Sequence, residues 1–136
     1  MGLAASVDYC LATEAASIKL SELVVGIGPF VVGPAVERKI GTSAFGQLAI
    51  DASEFRSAQW ALARGLYAEV LPDIPALDAA VARLAGQLAA SSPAAMREIK
   101  QMLWAGTAHW DELLAERAAI SGRLVLTDFA RDFLKK

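Results

Sequence analysis

Apolar residues recur along this chain with two different periods. Over roughly the first half, apolar and polar side chains alternate in short stretches, which is typical of strands. This alternation, after a short helix at the start of the chain, predicts three short strands: Tyr9–Thr13, Ala15–Ser21 and Leu66–Leu71. Helices are predicted between the last two strands, where capping and stop signals occur: Pro34, Gly41, Ser43, Ser57 and Gly65.

The second half of the chain has helical periodicity throughout. After a Leu71–Pro75 linker, one apolar helix face is formed by residues spaced three and four apart: Leu77, Val81, Leu84 and Leu88. Three more helices are predicted, beginning near Ser92, Trp110 and Phe129. The pattern therefore predicts a mixed α/β region over residues 1–71 and a helical region over residues 72–136.

The composition is too apolar for an ordinary chain of this length. Of its 136 residues 55% are hydrophobic and only 21% are charged, with a mean hydropathy of +0.40. Globular chains average about 45–50% apolar residues, and a small chain leaves much of its surface in water. We therefore expect a surface that a partner covers or a core that is incomplete. The apolar start of the chain, Met1–Val7, favours the second explanation, because it reads as though the chain began inside a packed element.

Charge, cysteine content and the longest apolar run exclude several classes of protein. The net charge is −2 and the pI about 5.4, without the basic stripe that nucleic-acid binding requires. The single cysteine, Cys10, excludes an intrachain disulfide and favours a cytoplasmic location. The apolar run Leu23–Val36 is interrupted by glycine and proline and falls short of the roughly twenty residues of a membrane span. We expect neither a nucleic-acid partner nor a membrane.

Glu22 is the most informative candidate for chemistry. It follows a predicted strand, and no charged residue occurs from Leu23 to Val36, so this acid lies at the edge of an apolar segment. Burial disfavours the charged form of a carboxylate, which suits it to proton transfer. The alternative is an ordinary strand-end glutamate that faces water.

Two other patterns were considered as binding sites. The run Gly26–Pro29 contains two glycines but no dinucleotide fingerprint, because proline lacks the amide that a phosphate would use. Its glycines instead allow the backbone to approach a flat group closely. His109 with Glu112 and Glu116 has a conceivable metal-ligand spacing on one helix, yet one helix offers too few ligands, so we expect a solvated helix and no metal.

Two motifs resemble the crotonase superfamily, the enoyl-CoA hydratase/isomerase family. The first motif comprises Asp8, Ala12, Ala16, Ile18, Ser21-Glu22 and Gly26-Ile27-x-Pro29, and the second comprises Ser57-Ala58, Ala61, Gly65-Leu66 and Val70. Three positions depart from the usual pattern: Val7, Ser21 in place of proline, and Phe30 in place of glycine. The resemblance is specific over about the first seventy residues, and beyond them only the helical character agrees.

The resemblance implies a fold and a reaction. The fold would be α/β, the second half of a crotonase-like ββα spiral (1–71) followed by a carboxyl-terminal helical layer (72–136) that assembles family members into trimers or hexamers. Glu22 would be the general acid/base, acting on an acyl-CoA thioester as substrate with no other cofactor. The acyl pocket would be lined by Gly26, Ile27, Pro29, Phe30 and Gly33. Gly2 occupies the position of the second acid that hydratases use, which favours single-acid, isomerase-type chemistry; hydration remains the alternative.

The same resemblance implies that this chain holds only part of the machinery. In the family, two backbone amides polarise the thioester carbonyl, and both would precede Met1. Residues that select acyl-chain length would also come largely from that other half. We therefore expect the chain to be inactive by itself. A catalytically inactive fragment, or an interaction and assembly module with the same fold, is the alternative function.

Overall fold

The computed structural model describes residues 1–135, so Lys136, the last residue of the predicted helical region, lies outside the described residues. Its first region contains α1 (Gly2–Ala5), β1 (Leu11–Thr13), β2 (Ser17–Ile18), a 3₁₀ helix (Glu22–Val25), α2 (Gly33–Ile50), β3 (Arg56–Ser57), α3 (Ala58–Ala63) and β4 (Glu69–Leu71). The helical region contains α4 (Ile74–Ala89), α5 (Pro93–Leu103), α6 (Trp110–Leu124) and α7 (Asp128–Leu134). The predicted mixed α/β fold, mostly helical, is confirmed.

The strands form two small sheets that bring distant segments together. β1 pairs in parallel with β4, with Leu11 opposite Glu69, and β2 pairs antiparallel with β3, with Ser17 opposite Ser57. The observed strands are shorter than the predicted ones because only the residues that find a partner strand are in a ladder. One prediction is wrong: Glu22 does not end a strand but begins the 3₁₀ helix, since pairing of β2 stops at Ile18.

Several local helix signals act as expected, but Ser43, predicted to cap a separate helix, lies inside α2. α2 is kinked at Gly41, whose backbone (φ 78°, ψ 159°) is not helical, so the predicted stop appears as a break within one long element. The Ser57 hydroxyl accepts the Trp60 amide at 3.2 Å at the start of α3, and the Ser92 hydroxyl accepts the Ala95 amide at 3.4 Å at the start of α5. These side chains satisfy amides that have no partner in the first turn of a helix.

The core lies almost entirely in the first region. Its largest fully buried side chains are Val36, Leu48 and Leu66, and α2 runs through its centre. Among residues 72–135, only Ala80 and Ala130 are buried. Exposed large apolar side chains are numerous in this helical region: Ile74, Val81, Leu88, Ile99, Met102, Leu103, Val125, Leu126, Phe129, Phe133 and Leu134. Across residues 1–135, none of the helices is long and apolar enough to cross a membrane.

Candidate active site

Glu22 is the only acid among the described residues that line a space of about 640 Å³, called here the apolar cavity. Its wall is contributed by α1, the loop after the 3₁₀ helix, the first turn of α2, the residue that follows α5, and α6. Residues from both regions therefore meet here. A carboxylate in a mostly apolar concave site is the arrangement expected of a small-molecule binding site.

The two ends of Glu22 are held differently. Its backbone carbonyl accepts the Ile27 amide at 3.0 Å, closing the turn that ends the 3₁₀ helix at Gly26. Its carboxylate oxygen Oε2 is buried and has no hydrogen-bond partner among residues 1–135. An unsatisfied buried oxygen costs free energy, and a catalytic or ligand-binding role is one reason for a protein to keep such a group. The backbone is fixed, and one carboxylate oxygen is free to meet a ligand.

Four of the other positions chosen from the sequence lie in the same wall. Ile27, Pro29 and Phe30, expected to contact an acyl group, line the apolar cavity together with Glu22. Gly2, predicted from the resemblance to occupy the position of the usual second acid, lines it too. An acid at that position would face the same space as Glu22; glycine presents only hydrogen there.

Gly26 and Gly33 lie outside this lining. Gly26 has φ 81° and packs against the α7 side chain Phe129, since a Cβ built on Gly26 would lie 2.5 Å from the ring atom Cδ1. Gly33 is buried at the start of α2 against Phe45 and lines a neighbouring cavity. Both positions support the walls of the site, and their contact with substrate stays a prediction.

The helical region contributes a part of the site that sequence reasoning missed. Trp104, Trp110, Leu114 and Ser121 line the apolar cavity, although the sequence assigned this region to oligomerisation. The indole rings of Trp104 and Trp110 meet edge to face, with centroids 5.9 Å apart and planes at 74°. The signal that could have found them is their spacing across the glycine turn at Gly106, which ends one helix and precedes the next.

Asp8 ties Trp104 to the first region. Its carboxylate accepts the indole N–H of Trp104 at 2.5 Å and the ammonium of Lys100 at 2.7 Å. These two donors, the Lys100 ammonium first, hold the pKa of the Asp8 carboxyl below its ordinary value. The guanidinium of Arg38 lies 4.4 Å from the centroid of the Trp104 ring and donates to the Leu103 carbonyl.

A second cavity of about 380 Å³, called here the polar cavity because charged side chains line part of it, adjoins Trp110. Arg38, His109 and Arg117 line it, and Trp110 lines both this polar cavity and the apolar cavity. Within residues 1–135 no group of three or more histidine, cysteine, aspartate or glutamate side chains is placed to hold a metal ion. His109 thus lies beside the polar cavity, without a cluster of acids around it.

Comparison with known proteins supports the resemblance seen in the sequence. A family model described as enoyl-CoA hydratase/isomerase matches residues 1–129. The structure is similar to an enoyl-CoA hydratase from Mycobacterium avium (26% identity, TM-score 0.87, 98% of this chain and 54% of that one). It is also similar to an enoyl-CoA hydratase from Shewanella pealeana (27% identity, TM-score 0.69, 98% and 50%). A third, an enoyl-CoA hydratase/isomerase from Pseudoalteromonas atlantica (15% identity, TM-score 0.87, 98% and 54%), supports the fold alone.

This chain spans about half the length of those solved structures. No curated protein matches it.

Proposed function

The chain belongs to the enoyl-CoA hydratase/isomerase family, and from that premise we propose that its apolar cavity receives the acyl group of a CoA thioester. Glu22 then transfers a proton beside the thioester carbonyl. The observation that carries the proposal is the buried, unpartnered Oε2 of Glu22 in an otherwise mainly apolar cavity of about 640 Å³. A carboxylate oxygen that faces an apolar site can take up a proton from a substrate carbon and return it to another carbon.

The proposed reaction is a double-bond shift in which one acid acts twice. With a 3-enoyl-CoA, Glu22 removes a proton from the α carbon, and the C–H electron pair enters a dienolate. The protonated Glu22 then delivers that proton to the γ carbon, which leaves a 2-enoyl-CoA. Polarisation of the thioester carbonyl is assigned to backbone amides in the part of the relatives that this chain does not match, as the family resemblance implies.

Gly2 supports single-acid chemistry over hydration. Hydration needs one group to orient water and another to handle the α proton. A second acid at position 2 would face the cavity, but the space there is limited, because even a Cβ on Gly2 would lie 2.9 Å from Cγ2 of Val32. Parallel assays with a 2-enoyl-CoA and a 3-enoyl-CoA test this point. Efficient hydration of the first without double-bond migration in the second would refute isomerase-type chemistry.

Glu22→Gln tests the proton-transfer role in the protein that carries this chain. The amide keeps the shape of the side chain and removes the transferable proton, so kcat should fall on the order of 10²–10⁴-fold. Binding of a saturated acyl-CoA, followed by titration calorimetry, should remain near that of the unaltered protein. Glu14→Gln, at an exposed acid outside the cavity, is the matched control and should leave both quantities unchanged. Retention of most activity in Glu22→Gln would exclude Glu22 from the mechanism.

The exposed apolar side chains of the helical region favour a second candidate, an assembly module with the same fold. Large exposed apolar patches mark association surfaces, and two of the most exposed are Met102 and Leu134, 67% and 66% accessible. We propose that this region joins copies of the chain into a homotrimer or hexamer. Sedimentation velocity tests assembly, and calorimetry with acyl-CoA separates the two functions. Assembly without any acyl-CoA binding would favour the module without catalysis; a monomer would refute self-assembly.

A further inference from the structure

We infer that Trp104 and Trp110, named here the tryptophan wall, limit the length of the acyl chain that the apolar cavity accepts. This inference rests on the proposed function, because it assigns specificity to the same cavity. Sequence reasoning placed chain-length selection largely in the half of the family fold that this chain does not match. The structure places two large aromatic side chains from the helical region directly in the cavity lining.

The two rings of the tryptophan wall pack against each other at neighbouring helix ends. Trp104 caps the end of α5 and Trp110 is the first residue of α6, so helix ends hold both backbones. Their rings meet edge to face at 5.9 Å, the favourable arrangement for aromatic pairs. Leu114, one turn further along α6, continues the same lining.

The orientation of Trp104 is set from outside the cavity. Asp8 accepts its indole N–H, and the cations of Arg38 and Lys100 lie 4.4 and 4.5 Å from the centroid of its ring. Rotating the ring away from the cavity would break the hydrogen bond and both cation–π contacts. Asp8 is therefore a positioning residue: it acts on the ligand only through Trp104.

Trp110 separates two spaces of different character. It lines the mainly apolar cavity that contains Glu22, and it also lines the polar cavity bordered by Arg38, His109 and Arg117. A longer acyl chain in the apolar cavity therefore meets an indole whose other side borders a second cavity lined partly by charged side chains. Removing the indole would add space at this boundary; a phenyl ring would add much less.

Trp110→Ala tests the wall, with butyryl-CoA and dodecanoyl-CoA as probes in calorimetry on the protein that carries this chain. Each buried methylene changes affinity by a factor of about four. The space of an indole holds at least two more methylenes, so the preference for dodecanoyl-CoA over butyryl-CoA should rise roughly fifteen-fold. Trp110→Phe should give a smaller rise. Trp60→Phe, at a tryptophan that packs on the core outside the cavity, is the control and should leave the preference unchanged.

A pair of substitutions at Asp8 tests the positioning role. Asp8→Asn keeps an oxygen that can accept the Trp104 indole N–H and should preserve the chain-length preference, whereas Asp8→Ala should shift it toward the longer chain. A general loss of packing would lower affinity for both probes and leave their ratio unchanged. Thermal melts identify folded variants, and Trp110→Phe remains informative if Trp110→Ala does not fold.

The outcomes separate the inference from the proposed function. If the unaltered protein binds neither acyl-CoA, the proposed function fails. If it binds both and folded Trp110→Ala or Trp110→Phe keeps the original preference, acyl-CoA binding stands and the tryptophan wall as a length limit is refuted. If Asp8→Ala and Asp8→Asn behave alike, the positioning role of Asp8 is refuted.

Discussion

Gly26→Ala should loosen the contact between α7 and the 3₁₀ helix that carries Glu22. Gly26 ends this 3₁₀ helix with φ 81°, in the left-handed region. The added methyl would lie 2.5 Å from Cδ1 and 3.1 Å from Cε1 of the Phe129 ring, so either the ring or the turn must move. The substitution therefore combines backbone strain with overpacking at one position.

The two costs can be estimated separately. A left-handed backbone costs a residue with a Cβ about 1–2 kcal/mol. Overpacking costs about 1–3 kcal/mol, and the lower part of this range applies because Phe129 is 65% exposed and can turn aside. The free energy of unfolding should therefore fall by about 2–3 kcal/mol.

Urea denaturation followed by circular dichroism measures this loss of unfolding free energy. A double-mutant cycle with Phe129 separates the part due to the clash from the part due to backbone strain. In Gly26→Ala with Phe129→Ala the clash is gone and the backbone strain remains, so the double variant should be about 1 kcal/mol more stable than the sum of the single changes predicts. Gly86→Ala is the matched control. Gly86 lies inside α4, and among residues 1–135 no atom beyond its chain neighbours and its own helix backbone comes within 4 Å of an added methyl, so this change should stabilise the protein by about 0.5–1 kcal/mol.

Two results would contradict this reasoning. Unchanged stability of Gly26→Ala would mean that the turn adopts another conformation at little cost. Strict additivity in the cycle would mean that Phe129 does not pack on Gly26, and that α7 is not held at this point. Either result would remove the structural role assigned to Gly26 and leave its predicted contact with substrate as the remaining explanation for a glycine there.

Two further predictions concern stability. Asp8→Asn should lower the free energy of unfolding by up to about 1 kcal/mol near pH 7, since the ion pair with Lys100 is exposed. The pKa of Asp8 is lowered in the folded state, so its contribution to stability is present above the ordinary carboxyl pKa and disappears as the pH falls through the folded-state pKa. Urea titrations of both proteins at pH 7 and pH 3 should show a smaller difference in unfolding free energy at pH 3. An equal difference at both pH values would contradict this prediction. Leu48→Ala, at a core side chain that is 1% exposed, should lower the free energy of unfolding by about 2–5 kcal/mol. Leu3→Ala, at a side chain that is 88% exposed, should change it by no more than about 0.5 kcal/mol. Similar losses of unfolding free energy in both variants would mean that the core is not centred on α2.

The structure follows the sequence most closely where the cause is local. Ser57 and Ser92 cap helices because their hydroxyls reach an amide three residues ahead, whatever the rest of the chain does. Gly41 breaks α2 because its backbone adopts positive φ, which residues with a Cβ disfavour. The motifs around Glu22 and Gly65 were enough to indicate the family that the comparison then established.

The site itself depends on contacts between residues far apart in sequence. β3 exists only because Arg56 and Ser57 find β2, and Glu22 begins a 3₁₀ helix because that pairing stops at Ile18. No local pattern predicts that Trp104 will donate to Asp8, ninety-six positions earlier. Periodicity determines which face of a helix is apolar, and packing of the whole chain determines which neighbour that face meets. For this protein, the acid and the loop beside it are therefore evident from the amino-acid order, and the aromatic wall that completes their cavity exists only in the folded chain.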